Sequence, residues 1–352
     1  MGSTSNLIQL SELQHGIDDR FNRKLTDLRL SVMDRCNYRC PYCMPADKYD
    51  SGFPFLKSEQ RLSIDEMVRL AKIFVSLGVS KLRLTGGEPL LRADLPELIQ
   101  QLSRIDGVKD LALTTNGSLL ARQAQRLKAA GLTRVTVSLD SLDPKVFRHM
   151  TGGRGDLNEV LEGIRVAQEV GLQPIKINTV VQKGVNDGTV MQLLDYFRGT
   201  GVIVRLIEYM DVGTCNNWSG NQTVPSREWL PRIGKIWPIR PLQSNQSEEV
   251  ASRYQYLDGA GEFGLISSVS EPFCGDCSRA RISSDGQLYT CLFASQGREL
   301  KSQLRNGSCD DDIHSVIRST WQQRQDRYSE ERGRHTVPEA SGERIEMFYI
   351  GG

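Results

Sequence analysis

From Leu25 to about Tyr209 the chain alternates between two hydrophobic periodicities. Short runs with an apolar residue at every second position are followed by longer stretches with apolar residues three and four apart. The first pattern is that of a strand and the second that of an amphipathic helix. Strands are predicted over 27–33, 80–85, 110–116, 134–140, 175–181 and 202–209. One helix is predicted from a Ser63–Glu66 capping box to Leu77, with Gly78 as its stop. Others are predicted over 94–105, 118–130, 156–170 and 187–198. Strand–helix units in series imply an α/β protein, a parallel sheet with helices outside and right-handed crossovers. Six units predict a partial, six-strand parallel β/α barrel rather than a closed one of eight.

The polar half of each strand changes that picture. Buried parallel strands normally read as near-continuous Val, Ile and Leu. Here Leu28, Leu30 and Val32 alternate with Arg29 and Ser31, and Leu82 and Leu84 with Lys81, Arg83 and Thr85. Val135, Val137 and Leu139 alternate with Thr136, Ser138 and Asp140; Ile175 and Ile177 with Lys176 and Asn178; Val204 and Leu206 with Arg205. With the apolar set under the helices, the other set lines a cationic lumen suited to an anionic ligand; the alternative is a sheet with one solvated face.

Beyond the periodic part the pattern loosens. Residues 1–23 are predicted as a flexible lead-in, 24–213 as the barrel, and 214–258 as a connecting region with one short helix over 226–235. Residues 259–352 form a C-terminal region with a hairpin turn at Asp285-Gly286 and helical stretches over 298–305 and 311–324. Next come a basic, disordered-looking segment over 327–345 and an apolar, strand-like run, Met347–Ile350, before Gly351 and Gly352.

Composition narrows the function. The chain has 352 residues, 39% of them hydrophobic and 25% charged, with net charge +1. That balance argues against nucleic acid and anionic membrane surfaces as partners, so any positive patch is local. No secretory leader and no membrane-spanning run is visible, so a cytoplasmic location is expected. In that reducing setting the eight cysteines read as metal ligands or ordinary thiols, not as a disulfide frame.

Three of them stand at Cys36-x3-Cys40-x2-Cys43, directly after the first strand. Three thiolates on a short loop leave one iron of a 4Fe–4S cluster with an open coordination position. Half of a zinc site is the competing reading, although zinc pairs are more often spaced C-x2-C. A second trio is Cys274-x2-Cys277-x13-Cys291, with the predicted hairpin returning Cys291 to the other two. Zinc, with Cys309 as fourth ligand, remains open there. Arg279 and Arg281 alternate on a strand beside this trio, so both planar forks could reach one anion. Thr85-Gly86-Gly87-Glu88-Pro89 closes the second strand; its glycines let backbone approach a ligand, or simply make a turn.

Taken together, the first cysteine motif and Gly86-Gly87-Glu88-Pro89 resemble the radical S-adenosylmethionine (SAM) family. That resemblance implies that Cys36, Cys40 and Cys43 hold a catalytic 4Fe–4S cluster whose free iron chelates SAM. It places Tyr42, Gly86, Gly87, Glu88, Ser138 and Met210 against that cofactor. The C-x2-C-x-R-x-R run, the displaced third cysteine and the terminal diglycine are similar to the GTP 3′,8-cyclase branch of the family, which opens molybdenum cofactor biosynthesis. This implies a second 4Fe–4S cluster on Cys274, Cys277 and Cys291, with GTP contacts at Arg29, Lys81, Arg83, Thr114, Lys176, Arg205, Arg279 and Arg281. It also implies a tail that threads Gly351 and Gly352 into the active site. The implied reaction is a lyase step from GTP to 3′,8-cyclo-7,8-dihydro-GTP. The implied partners are a downstream cyclic pyranopterin monophosphate synthase (MoaC) and a flavodoxin or ferredoxin reductant; a homodimer is admitted. Cys215 and Cys309 acquire no role. Within enzymes the alternative is a radical SAM peptide-modifying enzyme with an auxiliary cluster. Outside enzymes it is a metal carrier or electron-transfer protein, with closed four-ligand sites and no cationic lumen.

Overall fold

The computed structural model describes residues 16–243, 249–332 and 344–351. Six parallel strands follow one another across the middle of its sheet: β1 (Asp27–Ser31), β2 (Lys81–Thr85), β3 (Asp110–Thr115), β4 (Arg134–Ser138), β5 (Lys176–Val181) and β6 (Ile203–Glu208). Between them run α1 (Ile64–Ser76), α2 (Leu95–Ser103), α3 (Leu120–Ala129), α4 (Pro144–Met150), α5 (Leu157–Glu169) and α6 (Val190–Phe197). α1 begins where the capping box put it. Ser63 Oγ accepts from the Glu66 amide at 3.2 Å, and the Glu66 carboxylate accepts from the Ser63 amide at 2.7 Å. Absent from the sequence expectations is α4, although Asp143 caps it and Pro144 opens it, a readable start signal.

The strand alternation does what the pattern implied. In β1 and β2 the residues pair as Leu28 with Leu82, Arg29 with Arg83 and Leu30 with Leu84. The leucines are wholly buried beneath the helices. Each buried leucine contributes roughly 2 kcal/mol, and slipping one strand by one residue would exchange leucines for arginines. Register is therefore fixed by the same residues that charge the lumen.

The sheet extends further than six strands. β9 (Glu262–Ile266) pairs parallel with β6, and β10 (Arg279–Ile282) pairs parallel with β1. Outside them lie antiparallel edges: β7 (Ile239–Pro241) with β8 (Ser252–Tyr256), and β11 (Gln287–Tyr289) with β12 (Arg298–Glu299). The strand order runs from β12 to β7, two edge strands, so the barrel is open.

Several expectations are corrected. The 214–258 region contains β7 and β8 besides its short helix, α7 (Trp229–Gly234), and the boundary at 258 falls inside the β8–β9 hairpin. Residues 16–23, expected to be loose, are packed: Ile17 and Arg23 are buried, and Trp321 Nε1 donates to the Arg23 carbonyl. Residues 298–305 are a strand stub followed by α8 (Lys301–Arg305); α9 (Asp310–Gln322) lies where a helix was expected. Within the basic segment α10 (Tyr328–Glu331) forms, while 333–343 lie outside the described residues, and Met347–Ile350 is a helical turn, α11, not a strand. Among the described residues no helix is long and apolar enough to cross a membrane.

Candidate active site

A cavity of about 920 Å³ occupies the barrel lumen. Arg29, Lys81, Arg83, Thr114, Lys176, Arg205, Arg279 and Arg281 all line it, together with Met210 and all three cysteines of the second trio. The polar strand faces therefore enclose a cavity and are not a solvated surface. Arg83 Nη1 donates to Thr114 Oγ1 at 3.2 Å and to Thr136 Oγ1 at 3.3 Å, and Arg205 Nη2 reaches Thr136 Oγ1 at 3.5 Å. Burial and crowding by Arg281, Arg279 and Arg83 push the Arg29 guanidinium well below its ordinary range. Burial, then Arg205, Arg134 and Arg83, bring the Lys176 ammonium down to about 8. The side-chain nitrogens Arg29 Nε, Arg83 Nε and Arg205 Nε are buried with no partner among the described residues. Buried, mutually repelling cations with unused donors are the mark of a polyanion site.

The first trio sits at the carboxyl ends of β1 and β2, outside that cavity lining. Backbone shapes it. The Gly87 amide donates to the Met33 carbonyl and the Glu88 amide to the Arg35 carbonyl, both at 2.7 Å. A Cβ on Gly86 would lie 2.2 Å from the Met33 oxygen, and one on Gly87 2.2 Å from the Arg35 oxygen, so only glycine fits beside the loop. The Glu88 carboxylate faces inward: it accepts from Leu90 and Asn116 amides and from Thr115 Oγ1. Burial still pushes it up to about 7 against those donors. Tyr42 ties the loop sideways, its hydroxyl donating to Asp140 at 2.8 Å. Ser138 ends β4, opposite Asn178 of β5 and outside the cavity lining.

Burial pushes the Cys36 thiol up to about 11 and those of Cys40 and Cys43 well above their ordinary value. Such thiols ionise readily only beside a metal cation. At the second trio the charges differ. Burial raises Cys277 too, but the Arg279 and Arg324 guanidiniums prevail and bring it down to about 6. Arg279 Nη2 donates to Cys277 Sγ at 3.4 Å, Arg324 Nη1 to the Cys277 carbonyl at 2.6 Å, and Arg23 Nη1 to the Cys274 carbonyl at 2.8 Å.

Both trios consist of free thiols, the donor type that iron–sulfur clusters take. Among the described residues no three His, Cys, Asp or Glu side chains are gathered into a site for a single metal ion. A 4Fe–4S cube, wider than one ion, takes more widely spaced thiols. Cys309, the suggested fourth zinc ligand, is exposed at the start of α9, its thiol donating to Asp312. Because Arg279 pairs with Asp27 at the start of β1 and Cys36 follows its end, the trios stand at opposite ends of the parallel strands. The five residues of β1 alone span roughly 16 Å at about 3.3 Å each.

The C-terminal tail reaches the junction between the two. The Gly351 carbonyl accepts from Arg281 Nη1, and a Cβ there would lie 2.0 Å from Thr85 Cγ2 at a φ of +74°. Gly352 lies outside the described residues. Anchors precede it: Arg344 pairs with Asp211, Glu346 accepts from Thr214, and Tyr349 Oη donates to Asp285 at 2.6 Å. Phe348 packs with Met44, Tyr49 and the buried Cys215 beside the first cysteine loop.

Residues not anticipated from the sequence also appear. Asn116 Nδ2 stands 3.8 Å from Cys36 Sγ and donates to Asn37 at 2.8 Å. Its signal was a polar residue at the carboxyl end of a barrel strand. Arg134 had a signal too, since it shares the parity of Thr136 and Ser138, which the strand alternation had already turned inward. Arg23 and Arg324 had none, because they are brought to the second trio only by tertiary packing.

Comparison with known proteins places the chain in a family. The radical SAM superfamily pattern matches residues 30–197, and the Molybdenum Cofactor Synthesis C pattern matches residues 202–330. The structure of SuiB from Streptococcus suis, bound to S-adenosylmethionine, shares the fold at a TM-score of 0.58 and 16% identity, covering 85% of this chain and 69% of that one. A GTP 3′,8-cyclase of Xanthomonas axonopodis pv. citri is 54% identical across 96% of this chain and 99% of its own length. Those of Acidothermus cellulolyticus and Staphylococcus saprophyticus are 47% and 46% identical, with the same coverage. The open α/β barrel with its three-cysteine loop defines a radical SAM protein. The chain belongs to that superfamily and, within it, to the family of GTP 3′,8-cyclases.

Proposed function

We infer that the protein is a GTP 3′,8-cyclase: it uses SAM and two 4Fe–4S clusters to convert GTP into 3′,8-cyclo-7,8-dihydro-GTP, the entry step of molybdenum cofactor biosynthesis. The observation that carries this reading is the cationic lumen, closed at one end by a cysteine trio with phosphate-type arginines beside it. A polyanionic purine nucleotide meets both features at once, whereas the peptide-modifying alternative shares an auxiliary cluster but calls for neither the cationic lumen nor the paired arginines.

Cys36, Cys40 and Cys43 would hold the first cluster and Cys274, Cys277 and Cys291 the second. With the first cluster and SAM bound, the chemistry supplied would be one-electron cleavage of the sulfonium coupled to removal of the hydrogen on C3′ of GTP. The rest is geometry set by this chain. Backbone at Gly86, Gly87 and Glu88 leaves room for the cofactor's amino-acid end, with Tyr42, Ser138 and Met210 beside it. Arg29, Lys81, Arg83, Thr114, Lys176, Arg205, Arg279 and Arg281 hold the nucleotide, so that C3′ is pinned toward the first trio. Gly351, fitting where no larger residue does, closes the site between Thr85 and Arg281, and the diglycine of Gly351 and Gly352 serves to exclude water. The same reading makes the synthase MoaC the consumer of the product, a flavodoxin or ferredoxin the electron donor, the cytoplasm the setting and a homodimer the assembly to look for.

The test is an anaerobic assay of the cluster-loaded protein with SAM and a reductant. GTP should give the cyclised product and 5′-deoxyadenosine in step, and ATP should give neither product nor stimulated cleavage. Cleavage that GTP does not stimulate, with no cyclised nucleotide, would overturn the reading.

A further inference from the structure

We propose that Arg134, steered by Asp110, receives the terminal phosphate of the nucleotide and gives the lumen its preference for a triphosphate; this rests on the GTP reading above. Arg134 opens β4 with the inward parity of Thr136, one side-chain step nearer the amino-terminal mouth of the barrel. Thr136 is fully buried, and its hydroxyl is approached by Arg83 and Arg205. Its register partner on β5 is Lys176. Arg134 is thus the next cation outward from a knot of three already assigned to phosphates.

Asp110 fixes its orientation. Arg134 Nε donates to Asp110 Oδ1 at 2.8 Å and Nη2 to Oδ2. The pair occupies the Nε–Nη2 edge of the guanidinium and leaves Nη1 buried without a partner among the described residues. Both residues line the cavity. An ion pair that only strapped β3 to β4 would have no reason to bury a spare N–H donor beside three other cations. A bidentate hold on one side with a free donor on the other is a fork preset for a second anion. Asp110 also limits the charge of the empty lumen, which makes the fourth cation tolerable before substrate arrives.

Binding of GTP, GDP and GMP to the cluster-loaded protein tests this without any radical chemistry, by equilibrium dialysis. Arg134→Ala should weaken GTP roughly 30-fold, GDP much less and GMP hardly at all. Arg134→Lys, which keeps the charge and guards against a folding artefact, should recover part of the GTP loss. Asp110→Asn should shrink the ratio of GTP to GDP affinity. Equal losses for all three nucleotides, or unchanged GTP binding, would overturn the role of Arg134, and a full GTP-to-GDP ratio in Asp110→Asn that of Asp110. If the unaltered protein binds GTP while the variants show no dependence on phosphate number, this inference alone fails. If it binds no GTP, the cyclase reading fails and takes this with it.

Discussion

The two ends of the lumen carry the same number of thiols and are built by opposite means. At the carboxyl end the cysteine loop is held by backbone: paired amide–carbonyl bonds and two glycines without room for a Cβ. Its polar neighbours are Glu88, Asp140 and Asn116, and burial pushes its thiols up. At the amino end the loop is held by guanidiniums from Arg23, Arg279 and Arg324, which bring Cys277 down. On the proposed reading the first end takes a compact, zwitterionic cofactor and the second receives and orients an anion. Duplicate chemistry therefore does not mean duplicate function, and the ends should fail differently.

The largest effects divide them. Cys36→Ala should abolish both SAM cleavage and cyclisation, each by a thousandfold or more (about 4 kcal/mol or above). Cys277→Ala should lose cyclisation as severely yet retain the basal, GTP-independent cleavage of SAM, since only the nucleotide's seat is removed. Product and 5′-deoxyadenosine counted side by side decide it. If Cys277→Ala loses cleavage as completely as Cys36→Ala, the division of labour is wrong.

Next comes the backbone cradle. Gly87→Ala forces a methyl to within 2.2 Å of the Arg35 carbonyl, and the loop must shift. A destabilisation of about 3 kcal/mol is expected, with reduced iron loading at the first trio and normal loading at the second. A variant that melts and loads like the parent protein would show the cradle to be looser than drawn.

How much of this could be read from the chain alone follows the same divide. Features set by neighbours in sequence were legible: six strand–helix units, the inward arginines, the glycine pair and the cysteine spacings. Features set by distant packing were not. Nothing in residues 16–23 announces that Arg23 will reach the Cys274 carbonyl across 251 positions. Met347–Ile350 has the β-branched and aromatic composition of a strand, yet coils into one turn because Phe348 buries against Met44 and Tyr49 while Ile350 is fully enclosed. The β7–β8 edge was hidden by prolines and serines between short runs, and the diglycine's last residue lies outside the described chain.

The tail is where the two ends meet, and its anchors give a smaller effect. Asp211 accepts from Arg332, Arg344 and Tyr328, tying α10 and the tail to the end of β6. Asp211→Asn weakens these charged contacts by about 2 kcal/mol. It should speed hydrogen exchange over 344–351 and lower product per SAM cleaved roughly tenfold, with both clusters retained. Tyr349→Phe, which loses one hydrogen bond to Asp285, should do the same by about threefold. Unchanged exchange in Asp211→Asn would mean that the tail is held by Phe348 and Ile350 packing alone.

The smallest effect lies in pH. In the empty lumen burial, with Arg205, Arg134 and Arg83 nearby, brings Lys176 down to about 8, against about 10.4 in an unfolded chain. Between those values the unfolded state binds more protons, so the contribution of Lys176 to stability rises with pH. A bound triphosphate does the reverse: it raises the ammonium's pKa, so complex formation takes up a proton. The Lys176 share of GTP affinity is then complete below pH 8 and fades as pH climbs through the pKa of the complex, by at most tenfold per unit. From pH 7.5 to 9 the parent protein should therefore lose GTP affinity several-fold while its empty form gains stability. Lys176→Met should bind GTP more weakly at pH 7.5 but with little further loss at pH 9. A parent protein whose GTP affinity is flat across that range, or a Lys176→Met variant that keeps the slope, would remove Lys176 from the phosphate site and leave the amino end of the lumen to its arginines.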